Sequence, residues 1–101
     1  MLFLLRIDVS VPPELPQAEK DALRERENAR ALELIAAGTL LRIWRIVGRV
    51  ANFSLWRTDS LEALHSAVGS LPMFPYMKVD VTPLIDHPVT AAADARNGRA
   101  P

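Results

Sequence analysis

The chain has 101 residues, with twelve Lys and Arg against twelve Asp and Glu, and no cysteine. That length holds one core and no second lobe, and a net charge of zero argues against polyanionic nucleic acid or an anionic membrane as the partner. The lack of cysteine excludes disulfides, thiolate metal ligands and cysteine nucleophiles. The charge balance conceals a skew, because residues 39–58 carry Arg42, Arg45, Arg49 and Arg57 with no acid, whereas residues 14–33 mix both signs. Half of the residues are hydrophobic and a quarter are charged, the composition of a folded globular domain. Met1-Leu-Phe-Leu-Leu5 runs at once into Arg6 and Asp8, too short and too polar for a signal peptide, and no stretch reaches the roughly 18–20 apolar residues of a membrane span. A soluble cytoplasmic protein is expected.

In chain order, Leu2 to Val11 alternates in part, with Ile7, Val9 and Val11 on one parity and Arg6, Asp8 and Ser10 on the other, which predicts a strand ending at Pro12-Pro13. Pro16, early acids and Gly38 bracket a helix over about 16–37, on which Leu23, Glu27, Ala31 and Leu34 share a face. Leu40 to Val47 and Val50 to Arg57 read as a hairpin joined by Gly48-Arg49 in a two-residue type II′ turn. That register sets Val47 opposite Val50, Arg45 opposite Asn52 and Ile43 opposite Ser54 on one face, and Trp44 opposite Phe53 on the other. Thr58, Asp59 or Ser60 caps a second helix whose apolar side is Leu61, Leu64, Val68 and Leu71. The proline-flanked residues 71–76 form a loop, Lys78 to Val81 a last strand, and residues 89–101 a loose C-terminal tail. The order βαββαβ is that of a ferredoxin-like α+β fold over residues 1–88, an antiparallel sheet with both helices on one face. Its uncovered face, with Trp44 and Phe53, is a candidate for subunit contact, the alternative being that the tail or the 71–76 loop covers it.

Glu27 stands out because its helical neighbours Leu23, Ala31 and Leu34 turn it toward the sheet. Desolvation there prepares a carboxylate to accept and return a proton near neutral pH; an ion pair with Arg24 or Arg30 is the competing reading, and spacing leaves both open. Arg45 and Asn52, paired across the hairpin, suit a carboxylate or carbonyl oxygen if their face lines a cavity, and are an ordinary surface pair if it does not. His65, four residues after Leu61 and three before Val68, falls on the apolar side of the second helix and reads as a core histidine before a catalyst. His87 is too distant to join it in a metal motif, Ser54 lacks a nucleophile elbow, and no Gly-rich phosphate loop is present. Cofactor-free acid–base chemistry is what remains.

Several stretches resemble the muconolactone Δ-isomerase family: Met1-Leu-Phe, Trp44-Arg45 with Gly48, Ala51-Asn52-Phe53-Ser54, Glu62-Ala-Leu-His65, Leu71-Pro-Met-Phe-Pro-Tyr-Met77 and His87-Pro88. The resemblance covers residues 1–88. It implies a ferredoxin-like subunit assembled through dimers into a decameric α/β barrel, without metal or cofactor, acting in the catechol branch of aromatic degradation. The implied reaction shifts the ring double bond of muconolactone, a small lactone carboxylate, to give 3-oxoadipate enol-lactone. On this resemblance Glu27 is the shuttling base, with Arg24 and His65 beside it in catalysis. Arg45, Asn52, Ser54, Phe74 and Tyr76 are expected to bind substrate or close the pocket.

Three positions depart from the family pattern. Leu4 stands where some members have His, Val50 replaces a tyrosine before the Ala-Asn motif, and Leu40 replaces an aromatic after the helix-one glycine. The last two remove bulk near the expected pocket and open the substrate to substituted lactones. Chloromuconolactone dehalogenase, a relative on the same scaffold, is therefore the alternative activity, and a non-catalytic lactone-binding protein the alternative outside enzymology.

Overall fold

The computed structural model describes residues 1–98. Strand β1 (Leu2–Val9) leads to helix α1 (Gln17–Ala36), strands β2 (Leu40–Arg45) and β3 (Ala51–Arg57), helix α2 (Leu61–Gly69), a short 3-10 turn at Phe74–Tyr76, strand β4 (Met77–Leu84) and helix α3 (Pro88–Arg96). The four strands form one sheet in the order β2-β3-β1-β4, with every neighbouring pair antiparallel. This is the ferredoxin-like arrangement expected from the element order. Among the described residues no helix is long and apolar enough to cross a membrane.

Helix α1 ends in a Schellman motif. Gly38 adopts φ +78°, which lets its N–H reach the carbonyl of Ile35 and the N–H of Thr39 reach that of Leu34, so carbonyls at the helix end are satisfied as the chain turns into β2. Of the three expected caps for α2, Ser60 takes the role, its side chain accepting the Ala63 N–H at 3.0 Å.

Three cross-strand rows on the helix-facing side of the sheet organise the molecule. Leu40, Trp56 and Phe3 form the first, Ile43, Ser54, Leu5 and Val81 the second, and Arg45, Asn52, Ile7 and Val79 the third. The first row and Leu5 are essentially sealed from solvent and pack with Leu34, Leu64, Val68 and Leu71 from the helices and the loop after α2. The core therefore lies under the C-terminal half of α1 and under α2, and the sheet becomes more polar toward the other end.

A bulge sets which side chains of β2 join these rows. Leu40 pairs with Trp56, but the next pair is Arg42 with Leu55, so one extra residue, Leu41, is accommodated. Without that extra residue Leu40 in the core would bring Arg42 and Trp44 to the helix side; with it, Ile43 and Arg45 face the helices and Trp44 faces away. The pairs Arg45–Asn52, Ile43–Ser54 and Trp44–Phe53 are as expected. The turn differs from the expected type II′. Ile46 still bonds Ala51, and the Arg49 N–H donates to the Ile46 carbonyl at 3.4 Å, so Gly48 is the third residue of the turn, with φ +82°. A positive φ at that position is the type II requirement, and Val47 and Val50 lie outside the strands.

Residues 88–96 are helical, where a loose tail was expected; residues 99–101 lie outside the described residues. Pro88 suits the first helical position and the alanines favour helix, with His87 accepting the Val89 N–H at its Nδ1. Helix α3 buries none of its residues. The radius of gyration is 16.0 Å and the long axis 55 Å, against about 13 Å for the radius of a compact domain of this length.

Leu5→Ala removes a fully enclosed side chain at the centre of the second row. It is expected to cost about 2–5 kcal/mol, read as a lower urea midpoint with an unchanged m-value.

Candidate active site

Where the third row meets the middle of α1, helix and sheet part to leave a cleft of about 530 Å³. Arg24, Glu27, Asn28 and Ala31 line it from α1, Ile43 and Arg45 from β2, Ala51 and Asn52 from β3, with Val9, Val11, Val50 and Met73 completing the walls. The α1 residues fall at i, i+3, i+4 and i+7, one face of a helix.

Glu27 is half-buried on this face. Its Oε1 accepts a 2.8 Å hydrogen bond from the backbone N–H of Met73, and its Oε2 accepts none among the described residues. Burial pushes its carboxyl above the ordinary carboxylate range, and the Met73 N–H pulls part of the way back. The competing ion pair does not form. Arg24 lies 4.0 Å from Asp21, and Arg30 bonds Glu33 and Ser70.

Arg45 reaches the cleft from the opposite wall and has no ion-pair partner among the described residues, which leaves its guanidinium free for an anion. Asn52 is half-buried beside it, and its Oδ1 is shut off from solvent with no hydrogen-bond partner. A buried amide oxygen without a partner is uncommon, and a half-turn of the amide presents N–H₂ in its place. One carboxylate, two guanidinium groups and two side-chain amides thus line a partly apolar cleft.

The structure brings four of the expected site residues together, Glu27, Arg24, Arg45 and Asn52, and keeps four away from the cleft walls. Ser54 is buried in the second row, its hydroxyl accepting the Trp56 indole N–H at 2.7 Å. It serves the core because Trp56 needs an acceptor there. His65 is exposed on α2, since Leu64 and Val68 take the buried side; its ring meets Phe74 edge-on, 6.0 Å between centroids. Phe74 packs against the core, and the Tyr76 carbonyl accepts from the N–H of Ser10, just past the end of β1. The loop contributes Met73 to the cleft instead. Leu40 is core, so its replacement of an aromatic does not touch the cleft, whereas Val50 does line it. Asn28 and Met73 were not expected. Asn28 was accessible from its i+4 spacing to Arg24, but a backbone N–H leaves no mark in a sequence. Among the described residues no group of three or more His, Asp or Glu is placed to hold a metal ion.

Fold and cleft define a class: a ferredoxin-like α+β subunit that sets a half-buried carboxylate opposite an unpaired arginine. The sequence model of the muconolactone delta-isomerase family matches residues 1–90. The muconolactone Delta-isomerase of Cupriavidus pinatubonensis is 43% identical over 88 residues, covering 87% of this chain and 96% of its own. Muconolactone Delta-isomerase 1 of Acinetobacter lwoffii is 40% identical over 94 residues, covering 93% and 98%. A crystal structure of muconolactone isomerase superposes with a TM-score of 0.82 at 39% identity, covering 87% of this chain and 92% of that one. The chain belongs to the muconolactone Δ-isomerase family.

Ser54→Ala strips the acceptor from a buried indole. It is expected to lower stability by about 1–3 kcal/mol in urea titration while turnover by the folded fraction stays at the wild-type rate; a kinetic defect without a stability loss would return Ser54 to the site.

Proposed function

We propose that this protein is an intramolecular isomerase that converts muconolactone into 3-oxoadipate enol-lactone, with Glu27 as the proton shuttle. The observation that carries the reading is the half-buried Glu27 carboxylate facing Arg45 and Asn52 across one cleft, in a chain of this family. The reaction needs a base that can give its proton back, donors for charge on the lactone oxygen, and a cation for the acetate arm.

The ionised Glu27 takes the proton from the ring carbon bearing the acetate arm. That C–H electron pair becomes a new ring double bond, and the existing one is pushed toward the carbonyl, giving a dienolate. The resulting acid returns the same proton to the carbon beside the carbonyl, and the carbonyl re-forms. Nothing is oxidised or reduced overall, and the enzyme ends as it began. Arg45 pairs with the acetate carboxylate, and Arg24 at the rim adds positive potential. The Asn52 amide donates to the lactone oxygen as it gains charge. Val9, Val11, Ile43 and Val50 supply apolar walls that keep water from quenching the dienolate.

Glu27→Gln is expected to lose about 10²–10⁴ in kcat while remaining folded, and full activity on muconolactone in that variant would end the assignment. The base works only when ionised. Wild-type kcat/KM is therefore present above the Glu27 pKa and falls as pH drops through it, with a midpoint above the ordinary carboxylate range because burial raises that pKa.

The functional unit in this reading is a homo-oligomer, a dimer built up into a decameric barrel. Trp44 and Phe53 remain 46% and 37% exposed on the open sheet face, and Ile85 and Val89, around the start of α3, are 94% and 70% exposed. Such side chains are the usual content of a subunit contact. Light scattering is expected to give a mass several times 11.2 kDa, and Trp44→Glu to reduce it; a monomeric wild type would remove the assembly.

A further inference from the structure

Glu27 is tied to a backbone group 46 residues away, and that tie bears on how a shuttle must work. The donor, the Met73 N–H, stands 2.8 Å from Oε1. It sits in a loop with little freedom. Leu71 is buried, Phe74 packs on the core, and prolines occupy positions 72 and 75. Phe74 bonds Leu71, Tyr76 bonds Met73, and Ser10 bonds Tyr76, each at 2.9 Å.

We propose that the backbone N–H of Met73 is the positioning group of this reaction, holding Glu27 by Oε1 so that Oε2 alone carries the proton between the two ring carbons. A carboxylate on a flexible stem otherwise rotates and offers either oxygen in many directions, and small misplacements of a reacting atom are costly. Bound at one oxygen, it presents a single basic atom to the cleft. The inference rests on Glu27 being the base.

The bond has a second consequence. An N–H donor favours carboxylate over carboxylic acid, so it restrains the rise caused by burial. The charged groups sharing the cleft with Glu27 are Arg24 on its own helix and Arg45 on β2. The β1, β3 and loop residues of the lining, Val9, Ala51, Asn52 and Met73, are uncharged. Removing the N–H therefore leaves burial with less opposition.

Met73→Pro deletes this donor at a residue whose φ is −83°, near the proline range. Because a proline here also presses Pro72 out of the helical region it holds in the turn closed by Phe74 and Leu71, the fold of the variant is matched to wild type by circular dichroism before kinetics are read. Expected are a kcat lower by about ten- to a hundred-fold on the high-pH plateau, a much smaller change in KM, and an acid limb of kcat/KM moved to higher pH. Met73→Leu, which keeps the N–H, is expected to keep the limb where it is. Wild-type kcat and an unmoved limb in Met73→Pro would overturn the proposal. The wild-type protein provides a test that does not depend on that variant folding. In ¹⁵N–¹H spectra the Met73 amide is expected to titrate with the kinetic limb and to stop doing so in Glu27→Gln; an amide flat through the limb refutes the tie. Activity retained in Glu27→Gln would instead refute the base itself, so the two failures are distinct.

Discussion

One face of a four-stranded sheet has to serve as both hydrophobic floor and reaction surface. With the strands this short, only three cross-strand rows are available for the two tasks. The row Leu40–Trp56–Phe3 is wholly apolar and sealed, while Arg45–Asn52–Ile7–Val79 carries the polar groups. The middle row makes the transition, burying Ser54 at the cost of a hydroxyl that must be paired, and Trp56 supplies the pairing. Helix α1 buries Leu34 in the core and Leu23 toward its other end, and between them Ala31, Glu27 and Arg24 stand over the cleft. The site occupies the part of the helix-facing sheet where the cross-strand row turns polar.

This gradient depends on parity. The extra residue at Leu41 is what allows Leu40 to be core while Arg45, five positions on, still faces the helices. It also sends Trp44 to the open face, where Phe53 sits beneath the Arg6 guanidinium at 6.0 Å. Both the cleft cation and the aromatic outer surface thus follow from one local irregularity. Energetically the cleft is an imperfect core: it half-buries a carboxylate and leaves an amide oxygen without a partner. Such losses are tolerated where a bound ligand restores them.

Much of this was legible because it depends on side-chain periodicity. The steps from Leu23 to Leu34 place Glu27 inward, and the pairing of Arg45 with Asn52 follows from two alternating strands either side of Gly48. The bulge was not legible, since neither Leu41 nor its neighbours bear any mark of irregularity and it exists only in relation to β3. The turn was misassigned because Gly48 satisfies a positive φ at either central position, and the choice is made by strand pairing. Helix α3 was missed because a helix that buries nothing has no apolar period; only Pro88 and the alanines marked it. His65 shows the opposite error. Its spacing to Leu61 and Val68 suggested the apolar side of α2, but Leu64 and Val68 fill the available core and turn the imidazole outward.

The four arginines of the acid-free segment show how far composition alone carries. The pairing of Arg42 with Leu55 sends it to the open face, Arg49 closes the turn, and Arg57 ends β3 beside a different surface groove. Only Arg45 has the parity and the strand position to enter the cleft. The local positive charge therefore does not form one cationic patch for a polyanion; the sheet divides it. Arg45 on the sheet and Arg24 on α1 flank a single half-buried carboxylate, a charge pattern for a small anionic ligand rather than a polyanion. In the proposed reaction Asn52 meets the oxygen on which charge develops, and the backbone of the loop, rather than any side chain, holds the base still.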